Sequence, residues 1–256
     1  MIVLLVGAGG AYALGFRRVA ARGRLATKSQ ARCFAVALVV LAVVLLPPFD
    51  GRADHSLTAH MVQHVALLVV AAPLLAMGAP LPTLLWALPE RWRAGALGAW
   101  RRLLAAHARR WPLWAGACLM VESAAMWAWH APVLYGAALH HEALHGLEHA
   151  SYLLTAAAFW QAVGLGAGRR HGAAVPVVFV AALPGTALGA ALTLAARPWY
   201  AEYPSMADQQ LAGVVMWGFA GLAYVLAAAA LFGLWLTGLE RATPGRALEA
   251  PVAVRP

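Results

Sequence analysis

The sequence predicts an all-α polytopic integral membrane protein: a bundle of seven transmembrane helices, N-terminus outside and C-terminus cytoplasmic. Three observations predict it. Hydrophobic residues make up 62% of the 256-residue chain and charged residues only 11%, whereas a soluble domain carries about 25% charged residues. Seven mostly apolar runs approach or reach the length of about 20 residues that a helix needs to cross a bilayer. The basic residues alternate from side to side with those runs. The same composition excludes a disordered chain, which needs low hydrophobicity. It also excludes nucleic acid as the partner of the net +9 charge, because a basic patch needs a polar surface to sit on. Cys33 and Cys118 lie far apart in apolar runs with no CxxC, so neither a disulfide framework nor a thiolate metal finger is expected.

The elements follow in order. The first run, 1–16, is short for a full span; the next two are 33–49 and 56–79. Segment 88–110 mixes arginine with tryptophan and leucine, as an amphipathic helix lying in the membrane interface does. Spans four to seven are read at 112–131, 142–165, 173–196 and 209–236. In span six, Ala181, Gly185 and Gly189 recur every four residues, which permits close helix approach, and Pro184 is expected to kink it. Residues 1–240 thus form a single seven-helix membrane domain, and 241–256 a cytoplasmic tail.

Seventeen of the 19 Lys and Arg residues fall on one side of this arrangement; Arg52 and Arg197 are the exceptions. The positive-inside rule makes that side cytoplasmic. Asp50, Asp54, Glu142, Glu148, Glu202 and Asp208 leave the outer side mildly acidic. Glu122 stands alone in the middle of span four, where an ionisable residue is by default functional.

The ten histidines are segregated. His107 and His171 sit among cytoplasmic arginines. The other eight, His55, His60, His64, His130, His140, His141, His145 and His149, map to the outer ends of spans three, four and five. His60/His64 and His141/His145/His149 are spaced by four, so each set shares a helix face. If the two stripes face each other, His60, His64, His145 and His149 converge in one outward-opening pocket. Glu122, Met126 and His130 form a third stripe of the same period. Such a cluster suits a metal ion or a haem; a purely polar network is the plainer alternative. Imidazole suits Zn, Cu, Fe and Ni, and the thioethers of Met61 and Met126 favour Cu(I). There is no HExxH, so zinc hydrolysis is not supported, and no enzyme activity is expected.

The motifs resemble a known family. His60-Met-Val-Gln-His64 with Ala72-Pro-Leu-Leu75 and Gly78-Ala-Pro80, then His130-Ala-Pro-Val-Leu-Tyr135, then His145-Gly-Leu-Glu-His149 with Phe159-Trp160, then Asp208-Gln-Gln-Leu-Ala-Gly-Val-Val-Met216-Trp217, resemble in order the polytopic CtaG family of cytochrome c oxidase assembly factors. The resemblance implies a multi-pass protein of a bacterial-type plasma membrane that matures haem–copper oxidases. It further implies copper supplied to the oxidase catalytic subunit, received from a soluble or anchored copper donor on the outer side. His60, His64, His130, His145, His149, Asp208 and Met216 match the family's blocks. With the outward stripe holding copper, Glu148 and the other acids would concentrate cations at its mouth. Asp208 would orient an imidazole, His55 would stand in the outer shell, and Met216 would face the pocket. Two other functions remain open from the residues: a haem protein with paired axial histidines, and a copper or proton transporter relayed by Glu122.

Overall fold

The computed structural model describes residues 1–22 and 27–242, apart from the side chains of 165–170 and 242. Arg24 and the tail from residue 243 onward lie outside the described residues. All regular structure among the described residues is helical. α1 (Ile2–Ala20) and α2 (Lys28–Leu45) lead to a short α3 (Asp50–Ala53). α4 (Leu57–Ala66) runs through a π turn (Leu67–Ala71) into α5 (Ala72–Gly78). α6 (Pro80–Ala87), α7 (Glu90–Arg109), α8 (Trp111–Trp129), α9 (Pro132–His140) and α10 (Glu142–Leu194) follow. α11 (Met206–Val214) passes through a second π turn (Val215–Phe219) into α12 (Ala220–Ala242). Among the described residues, five stretches are long and apolar enough to cross a membrane: Ile2–Ala20, Lys28–Leu45, Leu57–Gly78, His171–Leu194 and Met206–Arg241. The other two expected spans are also helical, as α8 and the first part of α10. Glu122 and the tryptophans make α8 more polar, and two histidines and two glutamates do the same for 142–164.

The helical assignment of α10 is unbroken over 53 residues, and a straight helix of that length would be about 80 Å long. Its two parts nevertheless meet. His149 lies against His64, and Gly185 lines the same cavity as His64. The direction reverses between Trp160 and Gly189. Trp160 stacks on Tyr224, Gly172 abuts Trp235, and Gly189 abuts Trp217. One arm therefore packs along α8, with Trp111 donating to the Ala162 carbonyl and Trp129 to the Ser151 hydroxyl. The other arm packs on α11. Gly189 and Gly213 face each other so closely that a Cβ on Gly189 would lie 2.8 Å from the Gly213 carbonyl oxygen. The small-residue stripe of span six does what its spacing predicts.

The first helix is longer than the apolar run that announces it. It continues through Arg18 because that guanidinium donates to the carbonyls of Trp86, Ala87 and Leu88 at 3.3, 2.7 and 3.0 Å, satisfying the open end of α6. Tyr12 donates to the Gly78 carbonyl at 2.8 Å and stacks on Phe34, tying α1 and α2 to α5. The short helices α6 and α9 escape a search for 20-residue apolar runs, although Pro80 and Pro132 at their first turns mark their starts.

Prolines also explain two unusual side-chain bonds. In the π turn the Ala72 N–H bonds the Leu67 carbonyl, five residues back. The next bond in that register would need an N–H from Pro73, which has none. The Leu68 carbonyl takes the indole N–H of Trp160 instead, at 2.9 Å. At the end of α2, the Val44 carbonyl would be paired in a continuing helix by residue 48, which is proline. Gln63 donates to it at 2.7 Å.

α8 links the two ends of the bundle. It begins beside Arg110, at the end where Glu90 pairs with Arg22 and Arg93. It finishes about 28 Å away at His130, at the end where α4, α11 and the first arm of α10 begin.

Candidate metal centre

The start of α4 is held from across the bundle. Ser56 caps it, accepting from the Ala59 N–H. The Asp208 carboxylate accepts from the Leu57 and Thr58 N–H groups at 2.7 and 3.2 Å, and from the Ser56 and Thr58 hydroxyls at 3.1 and 2.5 Å. These N–H groups are the unpaired donors of a helix N-terminus, where a negative charge is stabilised. Asp208 thus does not orient an imidazole, as the sequence suggested. It caps the helix that carries the imidazoles.

One turn further on, His60 and His64 project into the bundle, both buried. Facing them from α10 are His145 and His149. Ring centroids lie 5.3 Å apart for His60–His145, 6.0 Å for His60–His149 and 5.3 Å for His64–His149. His130, at the end of α8, closes the group 6.0 Å from His64. Five of the predicted imidazoles therefore converge. His141 does not join them. As the N-cap of α10 it has extended backbone, so it leaves the helical face that His145 and His149 share, and it is exposed. His55 is likewise exposed, in the turn ahead of α4.

Among the described residues, two groups have ligand atoms that all lie within 4.8 Å of one another: His60, His145 and His149, and His60, His64 and Glu148. The Nε2 atoms of His60, His145 and His149 are buried with no hydrogen-bond partner, as are both ring nitrogens of His64. An unpaired buried polar atom costs about 1–3 kcal/mol. Several such atoms within 4.8 Å of one another form a set that could hold a metal ion. Glu148 is part of it rather than a lure at the mouth: it is fully buried, with Oε1 3.6 Å from His64 Nε2.

Tyrosines that sequence spacing did not single out line the group. Tyr203 donates to the Ala53 carbonyl at 2.7 Å, and its oxygen lies 3.4 Å from His60 Nδ1. Burial, with Asp54 next, pushes this phenol up, so it stays protonated. With its own proton committed, its oxygen can accept from His60 Nδ1–H, leaving Nε2 as a free lone pair. Tyr135 lies 5.3 Å from the His60 ring and stacks on Tyr200, while Tyr152 lies 4.7 Å from His64. Two of these carry a sequence signal: Tyr152, three residues after His149 and so on its face, and Tyr135, the last residue of the His130 block.

The remaining candidates surround a cavity of about 30 Å³ lined by Met61, His64, Glu122, Met126, His130 and Met216. Met61 meets His130 rather than the trihistidine group, with Sδ 3.4 Å from Nε2. Glu122 is buried and accepts from the Tyr224 hydroxyl at 3.1 Å.

Comparison with known proteins agrees with this picture at the level of the family. No curated protein and no solved structure gives a match. The family model for the cytochrome c oxidase caa3 assembly factor (Caa3_CtaG) matches residues 10–238, which include every helix of the histidine group. The chain belongs to that family, the membrane-embedded assembly factors of caa3-type cytochrome c oxidase.

Proposed function

We propose that this assembly factor holds copper between His60, His145 and His149 and hands it to the oxidase catalytic subunit from the outer side of the membrane. The observation that carries this is the set of three partnerless Nε2 atoms, brought together from two helices at one end of the bundle. His64 and Glu148, sharing His60, offer a neighbouring position for the same ion. Imidazole ligands bind several first-row metals; a factor for a haem–copper oxidase, with thioethers beside its histidines, selects copper among them. Copper here is cargo, so the protein carries out no turnover of its own. Neutral imidazoles, with His60 shared between the two positions, let the ion leave, where a closed thiolate cage would retain it.

The bundle crosses the membrane seven times, with α8 and the first arm of α10 as the fourth and fifth spans. The histidine end faces outward and the arginine end faces the cytoplasm, as the positive-inside rule requires. A membrane-impermeant thiol reagent tests this orientation. With Cys33 and Cys118 replaced by alanine, a cysteine at His140 should be labelled from outside and one at Arg102 should not. The opposite pattern would overturn the orientation.

Haem fits poorly. The described cavity beside the histidines is about 30 Å³, room for an ion or one water and not for a macrocycle. Elemental analysis and a visible spectrum of the purified protein test the reading together. At least one equivalent of copper and no haem band are expected. A sharp haem band in the reduced state, or a preparation that takes up no copper, would overturn it.

A further inference from the structure

With Nδ1 protonated, the contact between His130 and Met61 is not an ordinary hydrogen bond. His130 Nδ1 lies 2.8 Å from the Met126 carbonyl oxygen. A carbonyl oxygen only accepts, so Nδ1 carries the proton. The Tyr152 hydroxyl, 3.1 Å from the same nitrogen, shares it or stands aside. Nε2 is then an unprotonated lone pair, and it faces Met61 Sδ at 3.4 Å. A thioether has no proton to give. Two acceptors face each other, buried, with nothing between them to donate. The second protonation that would resolve this puts a cation in an apolar pocket at high cost.

We propose that His130 Nε2 and Met61 Sδ are two ligands of a second, sulfur-containing Cu(I) site, completed by the thioethers of Met126 or Met216. The geometry suits it. With bond lengths of about 2.0 Å to nitrogen and about 2.3 Å to sulfur, as first-row metals show, a separation of 3.4 Å subtends about 104° at the metal. That lies between tetrahedral and square geometry and near the tetrahedral angle. The fixed Nδ1–H bond to a backbone carbonyl is how metal-binding imidazoles are oriented. Met126 and Met216 line the same cavity, which at about 30 Å³ has the size for one ion. Thioethers select Cu(I) over zinc and over Cu(II). His64 lies 6.0 Å from His130 and 5.3 Å from His149 by ring centroid, and neither His130 nor Met61 belongs to the trihistidine group, so this is a position separate from it. It rests on the His130–Met61 contact and stands whether or not that group binds metal.

X-ray absorption of the purified full-length protein, loaded anaerobically with Cu(I), tests it. Two equivalents should bind, and the spectrum should contain a copper–sulfur path. Met61→Leu with Met216→Leu, changes of nearly equal volume, should reduce uptake to one equivalent and remove that path. His60→Ala with His149→Ala should keep the path and lose the other equivalent. A wild-type spectrum without copper–sulfur scattering would overturn the proposal. So would a path that survives Met61→Leu, Met126→Leu and Met216→Leu together in a monodisperse, helical protein. Uptake of a single, sulfur-ligated equivalent supports this site while removing the trihistidine one.

Discussion

Replacing His60 and His149 together with alanine should remove the nitrogen-ligated copper from the protein. Membranes of the host should then lose oxidase activity at least tenfold, with oxidase polypeptide still inserted. His60 belongs to both ligand groups, and His149 completes the trihistidine one. Replacing His149 alone leaves an alternative, since the ion can still sit among His60, His64 and Glu148. Removing both leaves His64 and His145 on different helices without a third imidazole from this set. Alanine also empties volume at the centre of the bundle, and cavities of this kind destabilise. His60→Gln with His149→Gln keeps most of that volume and should lose the same copper. Copper stoichiometry is read by elemental analysis and oxidase activity by oxygen uptake. Unchanged uptake and unchanged oxidase in the alanine pair would overturn the copper assignment.

Asp208→Ala should have the second largest effect, and on two readouts at once. The carboxylate holds two backbone N–H groups and two hydroxyls at the start of α4. Loss of a helix cap costs about 0.5–2 kcal/mol, and hydrogen bonds to a charged group contribute about 1.5–3 kcal/mol each. These terms do not add fully, and a total of about 2–4 kcal/mol is expected. Thermal unfolding in detergent should shift down accordingly. Copper affinity should fall as well, because His60 lies only two to three residues past the capped N–H groups. Asp208→Asn should fall between the two, since an amide oxygen accepts but carries no charge. A variant with lowered thermal stability and unaltered copper affinity would show that α4 is held in register by other contacts.

Much of this was legible in the sequence, and the failures have physical causes. Periodicity of four placed His60/His64 and His145/His149 on shared faces, and five imidazoles do meet. The same period misassigned His141, because it holds only inside a helix and His141 is the residue before one. Asp208 matched a motif, yet a motif does not say whether a carboxylate serves a ring or a helix end. Gln63, between the two histidines, carries no sequence signal for its task, since the carbonyl it pairs lies 19 residues back in another helix. Of the tyrosine lining, Tyr152 shares a face with His149 and Tyr135 ends the His130 block, but Tyr203 has no such signal. Tyr203 and His60 are 143 residues apart, and no spacing rule reaches across that separation.

The π turn at Leu67–Ala71 has a genetic consequence. A residue added to a helix turns everything beyond it by about 100°, and this turn accommodates one. Deleting a single residue from Leu67–Ala71, of any identity, should restore a regular α register. It should leave Pro73 and the Gly78 seat of Tyr12 close to the faces they now occupy relative to His60 and His64, because the π turn already absorbs the rotation of the extra residue; a deletion elsewhere in α4 or α5 should swing them by about 100°. Substitutions within 67–71 that keep apolar character should be mild by comparison. The helix therefore tolerates a change of length at this turn and not in the turns on either side of it.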